Sequence, residues 1–435
     1  LSVKALFARK PPAASFIESP KFRANEPFLQ FLAFGARFSE EPARFAVERF
    51  ATQKRDWSRS RAEPDWHAAT DAAKHAFMRE LLAEIIADVI ARIDPRRPLT
   101  LGLSSGLDSR TILHFMRRAG VRPQTYSWGT IGHCDFDIAR LLAARLSLDT
   151  IFFDTNSIVF EPAAMNSPYA MTFARIAVLR RLNEDFPGRI ELHGYLGDAL
   201  TGAHLPERAS ATWSRAVRRF GSRNDTFYFQ QFLPGVARDL LARKPFVTAD
   251  ELQYDHQLDL GYRQAQRIRP GTLPDQRPII FPFEDPRWVG FWLNRGAADT
   301  HGRRLILKFA RSLNSEEFFE LAEFDAELQA QVKEERIRFL YGGNGRSGLI
   351  DLSQATGAQP ALHAKNFCLF ATFQNNPDFR RTVLDSLARQ RRRGVFAPSF
   401  VDSVWRKFEA RELRSLPLMY GLIATDFLLE HAGFE

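Results

Sequence analysis

Residues 99–120 read LTLGLSSGLDSRTILHFMRRAG. The opening LTLGL is a short apolar run of the kind that forms a buried parallel strand. The closing TILHFMRRAG spaces its apolar residues for a helix and ends on Gly120, a natural helix stop. Between them stand Ser104, Ser105, Gly106, Leu107, Asp108 and Ser109. A strand, a loop of small residues and a helix N-terminus form an anion site, because the first backbone N–H groups of the helix point at the ligand. Gly106 lets the backbone approach closely, and the serine hydroxyls add donors. The lysine of a Walker loop is missing, and an aspartate stands inside the cradle. A carboxylate there repels phosphate unless a cation separates them, as Mg²⁺ does when it bridges carboxylates and phosphate oxygens. Asp108 therefore reads as a metal ligand, against the competing reading of a helix N-cap.

Outward from this loop the chain alternates between strand and helix patterns. Upstream, from Trp66 to Arg92, Phe77, Leu81, Ile85 and Val89 recur every fourth residue beside Leu82, Ile86 and Ile90, the period of one wide apolar helix face. Downstream, QTYSWG predicts a second strand, DFDIARLLAARL a helix and TIFF a third strand. A helix is expected around Ala170 to Asn183, and RIELHG predicts a fourth strand. This spacing predicts an α/β fold with a parallel sheet and crossover helices, followed beyond about Asp225 by a mostly helical region. Ligands in such sheets sit at the carboxyl ends of the strands. SSGLDSR and GYLGDALTG (194–202) both follow predicted strands, so Asp108 and Asp198 are expected to face one crevice and hold the same ion.

Composition narrows the class without naming a reaction. The chain has 435 residues, 45% of them hydrophobic and 26% charged, as in ordinary globular proteins. No apolar run is long enough for a membrane helix, and the first residues lack a signal-peptide pattern. Cys134 and Cys368 are too few for a disulfide framework or a zinc cluster and are consistent with a reducing cytoplasm. The net charge of +9 is spread widely, and its densest run, Arg391, Arg392 and Arg393 after Arg389, reads as a solvated helix end. No signature of a nucleic-acid-binding module accompanies it. GNGRSG at Gly343 to Gly348 fits G-x-G-x-x-G literally, but no βαβ unit surrounds it, so a loop is the better reading.

SSGLDS resembles the SGGLDS pyrophosphatase loop of the asparagine synthetase family, which includes β-lactam synthetase. Further stretches agree in the family's order: LHGYLGDALTGAHL with its second acidic loop, PFEDPRWVGFWLNRG with its PFLD segment, and HGRRLILKFA with its K-x-x-L-R-x-A segment. GVFAPSFVDSVW and the closing apolar helix are similar to its C-terminal pattern. The resemblance implies a PP-loop ATP pyrophosphatase domain of HUP-like fold at 61–435, with a nucleotide-binding core at 61–224 and a helical part at 225–435 that completes the site. Residues 1–60 would be a short remnant of, or junction to, a glutaminase domain that this chain as given does not contain.

The implied chemistry is activation of a small-molecule or peptide carboxylate by ATP as an acyl-adenylate, then attack by ammonia or an amine. The nitrogen donor could be supplied by a separate protein, and neither nucleic acid nor membrane is an expected partner. By resemblance, Asp108 and Asp198 hold Mg²⁺, while Ser104, Gly106 and Ser109 bind pyrophosphate. Leu103 and the turn Ser127, Trp128 and Gly129 flank the adenosine, and Ser105, Leu107, Gly194 and Gly197 complete the nucleotide set. Tyr195 stands where β-lactam synthetase-like enzymes use a tyrosine to help deprotonate an amine, with Glu251 and Asp250 as loose candidates for its carboxylate partner. The family's lysine falls on Arg304 and its arginine on Lys308, an exchange that is not conservative because arginine is a planar fork and lysine a point charge. Ser105 replaces a glycine, and Arg110, in place of a serine, reads as a helix-surface residue. The leading expectation is an amide-forming ligase or amidotransferase. An intramolecular cyclase and a non-catalytic nucleotide-binding partner of biosynthetic enzymes are the alternatives.

Overall fold

The computed structural model describes residues 16–36, 38–60, 66, 68–104, 106–130, 134–158, 173–224, 229, 243–272, 278–315, 317–318, 369–412 and 415–431. Ser105 and the Gly343 to Gly348 motif lie outside the described residues. The chain forms an α/β structure on a five-stranded sheet: β1 (Leu99–Gly102), β2 (Gln124–Gly129), β3 (Thr150–Asp154), β4 (Ile190–Leu192) and β5 (Ile279–Ile280). Every pairing is parallel, in the order β3-β2-β1-β4-β5. Helices Leu107–Arg118, Cys134–Arg145 and Phe173–Asp185 link the first four strands, as the alternating pattern predicts. β5 was not foreseen, because two residues carry no period.

The upstream helix runs from Asp71 to Ala91, with the Thr70 side chain accepting from the Ala73 N–H as its cap. Met78, Leu81, Leu82, Ile85 and Ile86 are buried along it and join the core that packs on the sheet. Lys74 on the same helix is also buried and donates to both carboxylate oxygens of Asp299, at 2.8 and 3.0 Å. At the centre of the sheet, Arg189 donates to Thr100 Oγ1 at 2.7 Å and pairs with Glu191 at 3.2 Å. The Tyr126 hydroxyl donates to the same carboxylate at 2.9 Å. This network ties β2, β1 and β4 together through buried polar groups. Removing one partner of such a buried pair costs about 3–5 kcal/mol, because the other charge is left without compensation.

A second, aromatic-rich core lies among the helices. Helices Pro377–Arg393, Pro398–Glu409 and Ser415–His431 bury Phe379, Val401 and Ile423 there, and Phe396 from the connection between the first two and Phe28, Phe31 and Phe34 of helix Glu26–Phe34 join them. The basic run at 389–393 is not simply a solvated helix end. Arg389 and Arg393 both pair with the fully buried Asp426, at 2.7 and 2.6 Å, while Arg391 reaches Asp402 at 2.8 Å. A carboxylate with no solvent access needs such partners, and they bind the closing helix to its neighbour. None of the described helices is long and apolar enough to cross a membrane.

Helix Glu40–Ser60 lies against helix Pro286–Leu293, and the contact demands a glycine. A Cβ on Gly290 would stand 2.4 Å from the Trp57 Cβ and 3.2 Å from the Gln53 carbonyl oxygen. In an exposed helix a Gly→Ala change gains up to about 1 kcal/mol of propensity. Here the overlap dominates, as overpacking in a close-packed interior costs about 1–3 kcal/mol. Gly290→Ala is therefore expected to destabilise the protein by about 1–2 kcal/mol, read as a lower urea midpoint. A raised midpoint would show that the two helices part without cost.

Candidate active site

The strand order reverses between β1 and β4, and a crevice of about 420 Å³ opens there at the carboxyl ends of β1, β2 and β4. Leu103, Ser104, Gly106, Asp108 and Ser109 line it from the first loop, and Ser127 and Trp128 from the end of β2. Gly194, Tyr195 and Asp198 line it from the loop after β4. The first loop is closed on itself: the Gly106 N–H donates to Ser104 Oγ at 3.1 Å, and the Ser109 hydroxyl to the Gly106 carbonyl at 3.3 Å.

Asp108 does not cap the helix that it begins. Gly106 holds the cap position, and the Asp108 carboxylate turns toward the second loop, where Oδ2 accepts from the Asp198 N–H at 2.9 Å. The loops touch closely because two glycines permit it. A Cβ on Gly197 would lie 2.3 Å from Asp108 Cγ, and one on Gly194 would lie 2.7 Å from Asp108 Cβ. Gly197 thus acts by letting the loops close. Leu107 is buried in the core, and Gly129 ends β2 with its carbonyl accepting from the Thr155 N–H at 2.9 Å. None of these three lines the crevice.

The cation between the two acids is Arg303. Its guanidinium reaches Asp108 Oδ1 at 3.2 Å and Asp198 Oδ1 at 2.5 Å. Arg303 is 5% exposed and has a left-handed backbone, φ 59°, directly after Gly302, also at φ 59°. A non-glycine residue there carries about 1–3 kcal/mol of strain, so the surrounding structure holds the guanidinium in place against that cost. Arg304 and Lys308 do not line the crevice: both are exposed, and Lys308 pairs at 2.5 Å with Asp71. Helix Arg304–Ser312 buries Leu305, Ile306, Phe309 and Ala310, and positions 304 and 308 fall on its opposite face.

Arg110 is neither on the surface nor in the crevice. It is fully buried, donating to the Gly106 carbonyl at 3.2 Å and to the Glu317 carbonyl at 3.4 Å, so it props the loop from behind. Tyr195 is 4% exposed, with its ring against Phe281. Burial, reinforced by the nearby Glu284 charge, pushes its phenol far above the ordinary range and keeps it protonated. Glu251 and Asp250 do not line the crevice, and Glu251 caps Thr248 on the surface. His204 and Arg263 do line it, although His204, near the end of LHGYLGDALTGAHL, was not singled out and no motif marks Arg263. Burial lowers the His204 pKa to about 4, so its ring is neutral near pH 7. Arg263 comes from a π-helix, Asp259–Ile268, and pairs with Asp259 at 3.2 Å.

Without Arg303, Asp108 and Asp198 would lose the guanidinium that now bridges them. Their repulsion in a partly buried crevice would be relieved by a divalent cation. Arg303→Gln is expected to tighten Mn²⁺ binding in the absence of nucleotide by about tenfold, measured by the loss of the free-ion electron paramagnetic resonance signal. Equal binding by both proteins would show that the acid pair holds no cation.

The family model described as "Asparagine synthase" matches residues 77–263, from within helix Asp71–Ala91 to within the π-helix. No curated protein gives a significant match to the chain. The match takes in both aspartate loops and four of the five strands, so residues 77–263, on this parallel-sheet architecture, are similar to the synthetase domain of the asparagine synthetase family, a family of ATP-dependent amide-forming ligases.

Proposed function

We propose that the protein is an AMP-forming carbon–nitrogen ligase that activates a carboxylate as an acyl-adenylate and passes the acyl group to ammonia or an amine. One observation carries this reading: two aspartate-bearing loops meet at the sheet's switch point, and Asp108 and Asp198 share a cation there. In the first step a carboxylate oxygen of the substrate bonds to the α-phosphorus of ATP. The bond from that phosphorus to the bridging oxygen breaks, and pyrophosphate leaves with the electron pair. In the second step the nitrogen nucleophile bonds to the acyl carbon, AMP departs with the carbon–oxygen electrons, and the nitrogen loses a proton.

Catalysis here consists of orientation and neutralisation of charge. The helix N-terminus at Leu107, with the Ser104 and Ser109 hydroxyls, offers donors to the leaving phosphates. Trp128, at the end of β2, offers its ring to the nucleoside base. The donor set suits Mg²⁺, since Asp108 and Asp198 present only hard oxygen ligands and Arg303 already marks a cation position between them. Those two residues would hold the ion, and when bound it supplies electrostatic neutralisation of the phosphates. Arg303 is the protein's own charge for the same purpose, in the place that the family resemblance assigned to Arg304 and Lys308.

Pyrophosphate release is expected to require ATP, Mg²⁺ and a carboxylate. Asp108→Asn is expected to lower it by about a hundredfold or more, in line with the loss of one strong transition-state electrostatic contact. Full activity in that variant, by coupled pyrophosphate assay, would remove the assignment. Tight ATP binding without pyrophosphate release, across many carboxylates, would favour the non-catalytic reading.

Tyr195 in the crevice favours a second reading of the same chemistry, in which the nucleophile is an amine on the substrate itself and the product is cyclic. A phenol held protonated donates to the substrate, and removing the amine's proton through it requires the phenol's own proton to pass to a carboxylate base such as Glu284. Tyr195→Phe is then expected to leave carboxylate-dependent ATP–pyrophosphate exchange within about twofold, while amide formation falls by about 10²-fold or more. Exchange and amide formation falling together would assign Tyr195 to packing against Phe281.

A further inference from the structure

A second cavity, of about 210 Å³, adjoins the crevice, and His204 and Arg263 line both. Arg219, Arg223 and Arg267 line the second cavity beside them. His204 follows the short helix Gly197–Leu200, so the loop that supplies Asp198 also carries an imidazole to the junction of the two spaces.

Amide formation leaves a proton on the attacking nitrogen, and most of the acids and bases in the crevice are committed. Asp108 and Asp198 hold the Arg303 guanidinium. The Tyr195 phenol keeps its own proton, and His193 Nδ1 accepts from the Tyr195 N–H at 3.0 Å. The His204 ring differs. Among the described residues it has no hydrogen-bond or ion-pair partner, and only its carbonyl is engaged, by Arg223 at 2.9 Å. The charged groups around the half-buried ring are Arg263, Asp259, Asp198 and Arg303. Burial, with the two arginines adding to it, keeps the imidazole neutral near pH 7, so one ring nitrogen presents a lone pair.

We propose that His204 is the general base of the second step and takes the proton directly from the nitrogen that has attacked the acyl carbon. The inference rests on the ligase reading. The amine lone pair bonds to the acyl carbon, the carbonyl electrons move to oxygen, and nitrogen becomes positively charged and acidic. A ring nitrogen of His204 accepts its proton. The adduct then collapses, the bond from the acyl carbon to the AMP oxygen breaks, and AMP leaves with that electron pair. The imidazolium afterwards returns its proton to water. Negative charge on the bound nucleotide and pyrophosphate opposes the effect of the arginines, so the ring is a stronger base when the adenylate is in place than in the free protein. Tyr195 would need a relay to remove the same proton, and His204 needs none.

The test separates the two half-reactions. Carboxylate-dependent ATP–pyrophosphate exchange, across the proteinogenic amino acids and succinate, glutarate and adipate, finds an acid that the wild-type protein activates. Amide and AMP formation are then followed with ammonia and with hydroxylamine. In His204→Ala, exchange is expected to fall by no more than about threefold, and amide formation from ammonia by about 10²-fold or more. Hydroxylamine is a much weaker base than ammonia, and its adduct gives up a proton to water readily, so hydroxamate formation is expected to fall by less than about tenfold. Imidazole added to His204→Ala is expected to restore the ammonia reaction by about tenfold, and His204→Gln, whose side chain fills the space, to show the loss without the rescue. Amide formation from ammonia at the wild-type rate in either variant would overturn the proposal. Equal losses with ammonia and hydroxylamine, with no response to imidazole, would also overturn it and leave His204 a wall of the crevice. If His204→Ala does not fold, the ratio of ammonia to hydroxylamine rates in His204→Gln decides. A wild-type protein that exchanges pyrophosphate with no acid removes the ligase reading and this inference with it. Wild-type exchange beside unaltered His204 variants removes this inference alone.

Discussion

The parallel pairing of β1 with β4 is the constraint from which the crevice follows. Its register, Leu99 with Ile190 through Leu101 with Leu192, brings the two loops out side by side at the same end of the sheet. The Asp198 N–H can then reach the Asp108 carboxylate, and Gly194 and Gly197 allow the backbone of one loop to lie on the side chain of the other. A one-residue slip in a strand turns every side chain to the other face. Here it would also break the buried link from Arg189 and Glu191 to Thr100 and Tyr126. The structural network and the site thus depend on one register.

The acids of the crevice come from the sheet, and its positive charge comes from helices that follow. Arg263 is carried by the π-helix and Arg303 by the strained turn before helix Arg304–Ser312. π-Helical turns are rare and are frequent at functional sites, and this one spans the space between the crevice and the second cavity. Left-handed backbone at a buried arginine points the same way, since strain persists where the surrounding structure over-determines it. His204, held neutral between the cavities, separates them with a polar ring and adds no charge of its own.

Charge elsewhere in the molecule acts as a strut. Lys74 with Asp299 pins helix Asp71–Ala91 to the segment just before Arg303, and Arg389 with Arg393 holds Asp426 inside the C-terminal helices. The net charge of +9 is therefore a poor guide to partners, because several of the arginines that contribute to it are committed to internal carboxylates.

Much of the fold was legible in the sequence. LTLGL, QTYSWG, TIFF and RIELHG each carry enough apolar character to mark a strand, and the small-residue loop with Asp108 marks one wall of the crevice by chemistry that acts over a few residues. The second acid was legible because Asp198 sits at the same point of the next strand–loop unit. β5 was not, since a two-residue strand exists only by pairing with β4. The resemblance pointed to Arg304 and Lys308, and the structure brings Arg303 to the acids instead, because a motif match counts along the chain whereas burial depends on which helix face meets the core. Arg110 was placed at the surface, yet residues 317–318 lie over it, a contact between positions far apart in sequence. Local composition and period thus determined the strand–loop–helix units and their acids. Only the tertiary structure decided which arginine meets those acids and which four converge beside His204, because guanidinium groups at the ends of long side chains are positioned by packing between distant helices.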